Sequence, residues 1–403
     1  MKKVLLCVLI LLLLSGCSSR LQSAVQTRQS IEETNRELNE LTTRQENGTA
    51  NQGVKGDFSD LSIIGSMELK YAQQFHADYL SDGCSLVSIA GSERFLVVPE
   101  GQELPQNIDK DITVLRQPIE NIYLAATSAM CLFDALDALG HITMSGTKAD
   151  GWHIENAKAA MESGTIAYAG KYSAPDYELI MAKKCGIAIE SSMIFQTPEV
   201  KEKLEDLGIP VLVERSSYES HPLGRTEWIK LYGLLMGKDE LARTLFDQQI
   251  AHLDDISATN TGKTVAFFYI SSSGNAVVRK SGDYVAKMIE LAGGNYLFSD
   301  LGDERATGSA NLDMERFYAE AKNADFIIYN SSIDGEVHTV DELLKKSHLI
   351  ADFAAVRNGN VWCTSKNLFQ ETTGFGMLIS DMNRIFTEDS GGLGELNFLY
   401  RLR

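Results

Sequence analysis

The sequence lacks the signatures by which common catalytic and metal-binding sites are recognised. It contains no C-x-x-C pair, no H-E-x-x-H, no G-x-S-x-G and no G-x-G-x-x-G. Its seven histidines are nowhere paired at the spacing of metal ligands. These absences argue against a zinc ribbon, a thioredoxin-type site and the enzymes that such motifs mark, so a catalytic interpretation has no residues to start from.

Basic residues are also scarce. Lys and Arg number 37 against 55 Asp and Glu, which gives a formal net charge of −18. Proteins that bind nucleic acid need a basic face, so this balance disfavours a nucleic-acid partner. The acidic excess itself indicates little more than a soluble surface.

Cysteine is rare, and only two of the six cysteines lie near the N-terminus, Cys7 and Cys17. The other four are interpreted as buried free thiols, with a disulfide as the alternative; they are Cys84, Cys131, Cys185 and Cys363.

Long apolar runs are absent apart from one near the start. Val4 to Leu14 follows two lysines and is too short to span a bilayer comfortably, but it fits the core of a signal peptide. It ends Leu14-Ser15-Gly16-Cys17, which resembles the lipobox of bacterial lipoproteins, where the cysteine becomes the lipidated first residue. The resemblance implies a signal peptide over 1–16, lipidation at Cys17 and an exported protein anchored to the membrane and facing outward. The alternative is an ordinary signal peptide with a chance cysteine.

The residues after Cys17 divide into a spacer and a β-rich segment. Residues 17–57 are polar and lack proline and aromatic residues, which favours a partly helical spacer. Residues 58–120 are predicted to form an antiparallel β extension. Within it, Cys84 to Ala90 and Arg94 to Pro99 flank Gly91-Ser92-Glu93, the pattern of a hairpin.

Two later segments alternate strand and helix patterns, which predicts parallel sheets covered on both faces. The first covers residues 121–223 and the second 261–389, in which Thr264 to Ile270 is predicted to be a strand and Asp283 to Leu291 a helix. The tail at 390–403 is expected to be a loose end, although Leu396, Phe398 and Leu399 could dock on the protein. Residues 224–260 join the two segments with two helical patterns, the first of which can end at Gly237 in a left-handed turn. The second pattern begins at Asp239, runs to about Ser257 and is long enough to link two lobes.

Ligands of parallel α/β sheets bind outside the carboxyl ends of the strands. Aromatic and basic residues gather at those predicted ends, and together they suit a cleft for an anionic or aromatic-rich ligand. Singly, each is as well explained by packing or by a loop. The candidates are Trp152, Tyr172, Phe195, Arg215, Tyr218, His221, Arg225, Tyr269 and Arg279.

The order of these segments resembles the solute-binding lipoproteins of ATP-binding-cassette importers that handle iron–siderophore complexes, haem and cobalamin. The resemblance covers about Ile122 to Phe386. It rests on the D-x-E helix starts at Asp176 and Asp313, the helix from Asp239, and a helix ending in Gly293-Gly294-Asn295.

That resemblance implies an α/β fold with two Rossmann-like lobes, mainly parallel sheets and a single long connecting helix, plus the antiparallel extension. It implies a monomer without catalysis or a cofactor of its own, with an iron chelate, haem or corrinoid as ligand. The partners are then a permease dimer with its ATPase, contacted through Glu178 and Glu315. A two-lobe enzyme or ligand sensor without a transport role is the alternative.

Overall fold

The computed structural model describes residues 61–254, 256, 260–303, 306–388 and 393–403. The predicted signal peptide, Cys17 and the spacer over 17–57 lie outside these residues. Within them, the chain forms an N-terminal β extension and two α/β lobes, so the predicted fold class is confirmed.

The extension is a five-stranded sheet with strands in sequence order. Neighbouring strands are antiparallel except the last pair, which is parallel. One face of the sheet shares its hydrophobic core with the N lobe and the inter-lobe helices. The strands are β1 (Ile63–Ser66), β2 (Phe75–Leu80), β3 (Ser85–Ile89), β4 (Glu93–Val98) and β5 (Ile112–Arg116).

The N lobe is a five-stranded parallel sheet in the order β12-β11-β6-β7-β8. Its central strands are buried on both faces because helices cover both sides, which explains their nearly continuous apolar sequences. The strands are β6 (Ile122–Leu124), β7 (Ile142–Ser145), β8 (Ala167–Tyr168), β11 (Ile187–Ser191) and β12 (Val211–Glu214), with a small hairpin of β9 (Gly170–Lys171) and β10 (Ala174–Pro175). The helices are α1 (Met130–Ala135), α2 (Glu155–Glu162), α3 (Tyr177–Ala182) and α4 (Pro198–Asp206).

Three helices join the lobes: α5 (Pro222–Glu227), α6 (Ile229–Met236) and α7 (Asp239–Asp254). Helix α6 ends where Gly237 takes a left-handed conformation with φ +65°, as the sequence predicts. Helix α7 is the long connecting helix, and its Leu253 packs against the cores of both lobes.

The C lobe is a seven-stranded sheet in the order β16-β14-β13-β17-β18-β19, with β15 also paired to β13. The pairs of β13 with β17 and of β17 with β18 are parallel. The strands are β13 (Thr264–Ile270), β14 (Ala276–Arg279), β15 (Asn295–Tyr296), β16 (Ser309–Leu312), β17 (Phe326–Tyr329), β18 (Val361–Thr364) and β19 (Leu399–Arg401). The helices are α8 (Tyr284–Leu291), α9 (Met314–Ala321), α10 (Ser331–Asp334), α11 (Val340–Lys346), α12 (Ala354–Arg357) and α13 (Phe375–Thr387).

Helix α13 crosses α7 at very close range. A Cβ at Gly376 would lie 2.2 Å from the carbonyl oxygen of Gln249, so this contact requires glycine. The amide of Gly376 also donates to Oε1 of Gln249. The connecting helix is therefore fixed to the C lobe through backbone contact as well as through side chains.

The end of the chain docks on the C lobe, which was the alternative to a loose tail. Strand β19 pairs antiparallel with β18, and Phe398, Leu399 and Leu402 are buried in the C-lobe core. Asp381 of α13 accepts the backbone N–H groups of Asn397 and Phe398, which positions the strand. Apolar side chains spaced by polar ones near a terminus were a strand signal, and burying them outweighs the entropy of a free end.

Four cysteines lie in the described residues and all are free thiols. Cys84, Cys131 and Cys363 are buried as predicted, whereas Cys185 is half-buried. Among these residues no helix is both long and apolar enough to cross a membrane.

Candidate functional site

A cavity of about 470 Å³ opens where the carboxyl ends of strands from both lobes meet. That volume falls within the range of small-molecule sites, ~300–1,000 Å³. The N lobe contributes residues that follow β11 and β12, and the C lobe contributes residues that follow β14, β17 and β18. The lining residues are Ser192, Ser217, Tyr218, Glu219, Arg225, Arg279, Asp283, Tyr284, Thr307, Gly308, Ile333 and Phe369.

Arg225 is the most deeply placed cation of this cavity. It lies in α5, is 7% exposed, and its guanidinium sits 4.0 Å from the centre of the Tyr284 ring. Its Nε has no hydrogen-bond partner, and no carboxylate among the described residues forms an ion pair with it. A buried guanidinium with an unused donor is unfavourable in the empty protein, and an anionic ligand would satisfy it.

Arg279, at the end of β14, is held differently. Its NH1 lies 3.7 Å from Oδ2 of Asp283, and its guanidinium lies 4.9 Å from the centre of the Phe369 ring. Asp283 is itself buried. Its carboxylate accepts the N–H of Val285, which caps α8, and the N–H of Gly308. This second arginine is thus partly neutralised before any ligand arrives.

Glu219 also lines the cavity, yet its charge is engaged elsewhere. Its two oxygens accept the backbone N–H groups of Gln73 and Gln74 and the indole N–H of Trp228. Burial is the main influence on Glu219 and raises its pKa, while these hydrogen bonds lower it.

His221 lies outside the cavity lining. Its Nδ1 accepts the N–H of Leu223 and so caps α5, and its ring stacks on Tyr71 with centres 4.3 Å apart. Burial and then the nearby Lys287 lower its pKa to about 4. The neutral ring that results suits a hydrogen-bond acceptor at the start of a helix.

The other predicted residues separate into two groups. In the first group, the guanidinium of Arg215 lies 5.8 and 4.9 Å from the ring centres of Phe195 and Tyr218, and of these three residues only Tyr218 lines the cavity. The structure places the second group outside the cavity lining. Trp152 is 2% exposed in the N-lobe core with its indole N–H on Ser145, Tyr172 lies in the turn between β9 and β10, and Tyr269 lies within β13.

Several lining residues were not predicted, notably Asp283, Tyr284 and Phe369. Asp283 and Tyr284 begin a helix that the sequence does predict, so a search for residues at helix starts after strands would have found them. Phe369 follows β18 in a short 3₁₀ helix that carries no sequence signal.

The two predicted docking glutamates occupy matching positions in the lobes. Asp176 caps α3 and Glu178 lies in its first turn, while Asp313 caps α9 and Glu315 lies in its first turn. Both glutamates are exposed. Neither has an ion-pair partner in the described part of the chain.

Among the described residues, no group of three or more His, Cys, Asp or Glu side chains is arranged to hold a metal ion. The contacts that the cavity provides are arginines and aromatic rings.

A sequence profile of the family described as periplasmic binding protein matches residues 126–368. Two lipoproteins of Methanocaldococcus jannaschii, both of uncharacterised function, are 26% and 25% identical to this chain. The first alignment covers 94% of this chain and 91% of the relative, and the second covers 91% and 94%. Because the alignments cover so much of this chain, each must include at least part of the β extension.

Solved structures share the fold of the lobes. The haem-binding protein HutB of Vibrio cholerae superposes with a TM-score of 0.54 at 17% identity, covering 65% of this chain and 97% of HutB. The catecholate-siderophore-binding protein VctP of Vibrio cholerae gives a TM-score of 0.54 at 15% identity, covering 66% and 94%. At these identities the comparison establishes the fold alone.

Proposed function

Because this chain belongs to the periplasmic binding protein family, the substrate-binding components of ATP-binding-cassette importers, we propose that it captures an iron complex or a corrinoid for import. Among these ligands an iron–siderophore complex or haem suits the cavity better than a corrinoid. Such iron complexes commonly carry acidic groups and flat unsaturated surfaces, whereas the side chains of a corrinoid are mostly amides.

The observation that carries this proposal is Arg225, buried and unpaired in the wall of a cavity between aromatic rings. An acidic group of the ligand would fill its open hydrogen-bonding position, and Tyr284 and Phe369 would contact the unsaturated part. Arg279 would add a second, weaker attraction because Asp283 already shares its charge.

A role in binding without catalysis fits the same cavity. Its two carboxylates, Glu219 and Asp283, are occupied by backbone N–H groups, and no histidine stands among the lining residues to activate Ser192 or Ser217. A hydrolytic site needs a nucleophile beside a free base. No observation in the described chain favours the enzyme or sensor alternative.

The direct test is to purify the protein under native conditions and examine it by native mass spectrometry and visible absorbance. Titration of stripped protein with haem, a ferric catecholate siderophore and cyanocobalamin would then rank the ligands by intrinsic tryptophan fluorescence. We expect saturable binding of an iron complex with the corrinoid weaker. Binding of none of the three would overturn the proposal.

Attachment to the membrane through Cys17 completes the proposed arrangement, and the relatives named as lipoproteins support it. Cys17→Ser should leave an uncleaved or unlipidated precursor, seen as a shift in intact mass and as loss of labelling by a fatty-acid analogue. Cys7→Ser is the matched control, since that cysteine lies within the leader. Unchanged processing and membrane retention of Cys17→Ser would contradict the anchor.

A further inference from the structure

Five consecutive backbone amides of the loop between β1 and β2 bind two buried glutamates near the start of the inter-lobe helices. We call residues 70–74 the amide loop. Glu227, at the end of α5 and fully buried, accepts N–H bonds from Lys70 to Ala72 at 2.7–3.0 Å. These bonds attach the extension to the helix that carries Arg225.

The remaining two amides of the loop, those of Gln73 and Gln74, bind Glu219. They donate to its Oε2 at 2.8 Å and its Oε1 at 3.0 Å, and the indole N–H of Trp228 donates to Oε1 at 2.9 Å. Glu219 is 2% exposed, so it needs compensating partners. Three hydrogen bonds to an ionised acceptor satisfy both of its oxygens.

Glu219 and Arg225 line the same cavity and still form no ion pair. The packing around them is close, because a Cβ at Gly224 would lie 3.0 Å from the carbonyl oxygen of Tyr71 and 3.3 Å from Oε2 of Glu219. A buried carboxylate deprived of its amide donors would turn to a cation that shares its surroundings. Arg225 lines the same cavity as Glu219 and has no ion-pair partner among the described residues.

We propose that two amides of the extension, those of Gln73 and Gln74, keep Arg225 available for an acidic group of the ligand by binding Glu219. The extension is in this view part of the recognition machinery, although it lies outside the matched family region. Gln73, Gln74 and Trp228 act through Glu219 and are positioning residues. The inference rests on the proposed function in that it takes the cavity as the ligand site.

The test removes single N–H donors and measures binding of a sulfonated naphthalene fluorophore, an aromatic anion whose use does not depend on knowing the natural ligand. Arg225→Ala must first abolish the fluorescence enhancement, which shows that the probe reports on Arg225. Gln73→Pro removes one donor to Glu219 and should weaken probe binding about tenfold, the scale of one charge-assisted contact. Adding Glu219→Gln should restore most of that affinity, because a neutral amide cannot form an ion pair with Arg225.

Ala72→Pro is the matched control, since it removes a neighbouring N–H that serves Glu227 and not Glu219. It should leave probe affinity within about twofold of wild type, even if thermal stability falls. Trp228→Phe repeats the experiment without altering the backbone, in case a proline prevents folding. Trp228→Phe should also lower probe affinity, and adding Glu219→Gln should restore it.

Three outcomes would overturn the inference: probe binding unaffected by Arg225→Ala, affinity retained in both Gln73→Pro and Trp228→Phe, or losses that Glu219→Gln deepens. The last result would mean that Glu219 has a purely structural role. A protein that behaves as expected with the probe but binds no iron complex or corrinoid would separate this inference from the proposed function, which alone would fail.

Discussion

The two lobes match on their outer helices and differ in the cleft between them. Each lobe presents a short helix capped by an aspartate with an exposed glutamate in its first turn, at Glu178 and Glu315. In the cleft, by contrast, Arg225 beside the N lobe has no carboxylate partner, whereas Arg279 of the C lobe lies 3.7 Å from Asp283.

We propose that this difference reflects two partners, a permease for the matching glutamates and a ligand for the arginines. A permease dimer offers two similar surfaces, so matching glutamates suit it, while a single small ligand has no need of matching arginines. First-turn glutamates are also favoured by the helix dipole, by ~0.3–1 kcal/mol. That effect explains each glutamate singly but not its recurrence in lobes of divergent sequence.

The largest expected effect comes from removing the matching pair. Glu178→Ala combined with Glu315→Ala should abolish uptake and stimulation of the ATPase, because ion pairs at the rim of an interface orient the partners and speed their association. Ligand affinity of the isolated protein should stay unchanged. Uptake is measured with radiolabelled iron complex in cells that depend on this protein. Either single variant is expected to retain partial uptake with a steeper salt dependence.

The second glutamate of α9 provides the control for that experiment. Glu320 lies in α9 and is already paired with Arg316, so Glu320→Ala should leave uptake intact. Normal uptake by the double variant would leave helix capping as the sole explanation of Glu178 and Glu315.

The next largest effect concerns Arg225. Arg225→Ala should weaken binding of the iron complex about 100-fold, the equivalent of ~2.7 kcal/mol, because the acidic group of the ligand loses a buried cation that has no ion-pair partner among the described residues. Thermal unfolding of the empty protein should change little or shift upward, since a buried, unpaired charge is removed. Arg225→Lys keeps the charge but not the planar set of donors, so its ligand affinity should lie between those of the wild type and Arg225→Ala. A lower melting temperature with unchanged affinity would indicate a structural role.

Most of the fold could be predicted because hydrophobic pattern and helix-capping residues are local signals. Asp176 and Asp313 cap the predicted helices, Gly237 ends one of them, and the apolar run beginning at Thr264 is a buried strand with the predicted bounds. Strand β19 was missed because a short edge strand is defined by its partner, β18, which lies far away in sequence.

The cavity could be predicted only in part, for a related reason. Tyr218, Arg225 and Arg279 were predicted from strand ends and all three line its wall. The parallel topology explains the first two, which follow β12, but not Arg279, which ends a strand antiparallel to β13. The same rule placed Trp152 there, but its ring turns into the N-lobe core. Which charges remain available also depends on distant partners. Nothing local to Glu219 reveals that Gln73 and Gln74 occupy it.

Buried carboxylates give a second contrast between the lobes. Asp381 of the C lobe accepts three hydrogen bonds from Asn397 and Phe398, whereas both oxygens of Glu190 in β11 have no hydrogen-bond partner among the described residues. Burial raises the pKa of both groups, that of Glu190 to about 8. The titratable groups that interact with Glu190 are Tyr123, Tyr177 and Cys185, and burial raises the pKa of each of them as well.

A pH dependence of stability follows from Glu190. The folded protein keeps this proton up to about pH 8, while the unfolded chain releases it near the ordinary value of 4.5. Between these values the folded state binds more protons, so the free energy of unfolding should fall as pH rises and level off above about pH 8. Glu190→Gln should reduce that slope and stabilise the protein by roughly 2 kcal/mol at about pH 8.5. Urea titrations of the wild type and Glu190→Gln at about pH 5 and pH 8.5 measure the free energy of unfolding. An equal effect of the substitution at both pH values would contradict the prediction.

The smallest expected effect sharpens the comparison of the two arginines. Arg279→Ala should weaken ligand binding by only about threefold to fivefold, because Asp283 already offsets part of its charge. Unlike Arg225→Ala, it should destabilise the empty protein, by about 1 kcal/mol, since the buried carboxylate of Asp283 loses its cation while keeping its two N–H donors. Asp283→Asn should instead strengthen ligand binding, because it frees Arg279 for the ligand. Isothermal titration and thermal unfolding of the three variants measure both quantities. If Arg279→Ala weakens binding as much as Arg225→Ala does, the ion pair with Asp283 does not decide how much each arginine contributes.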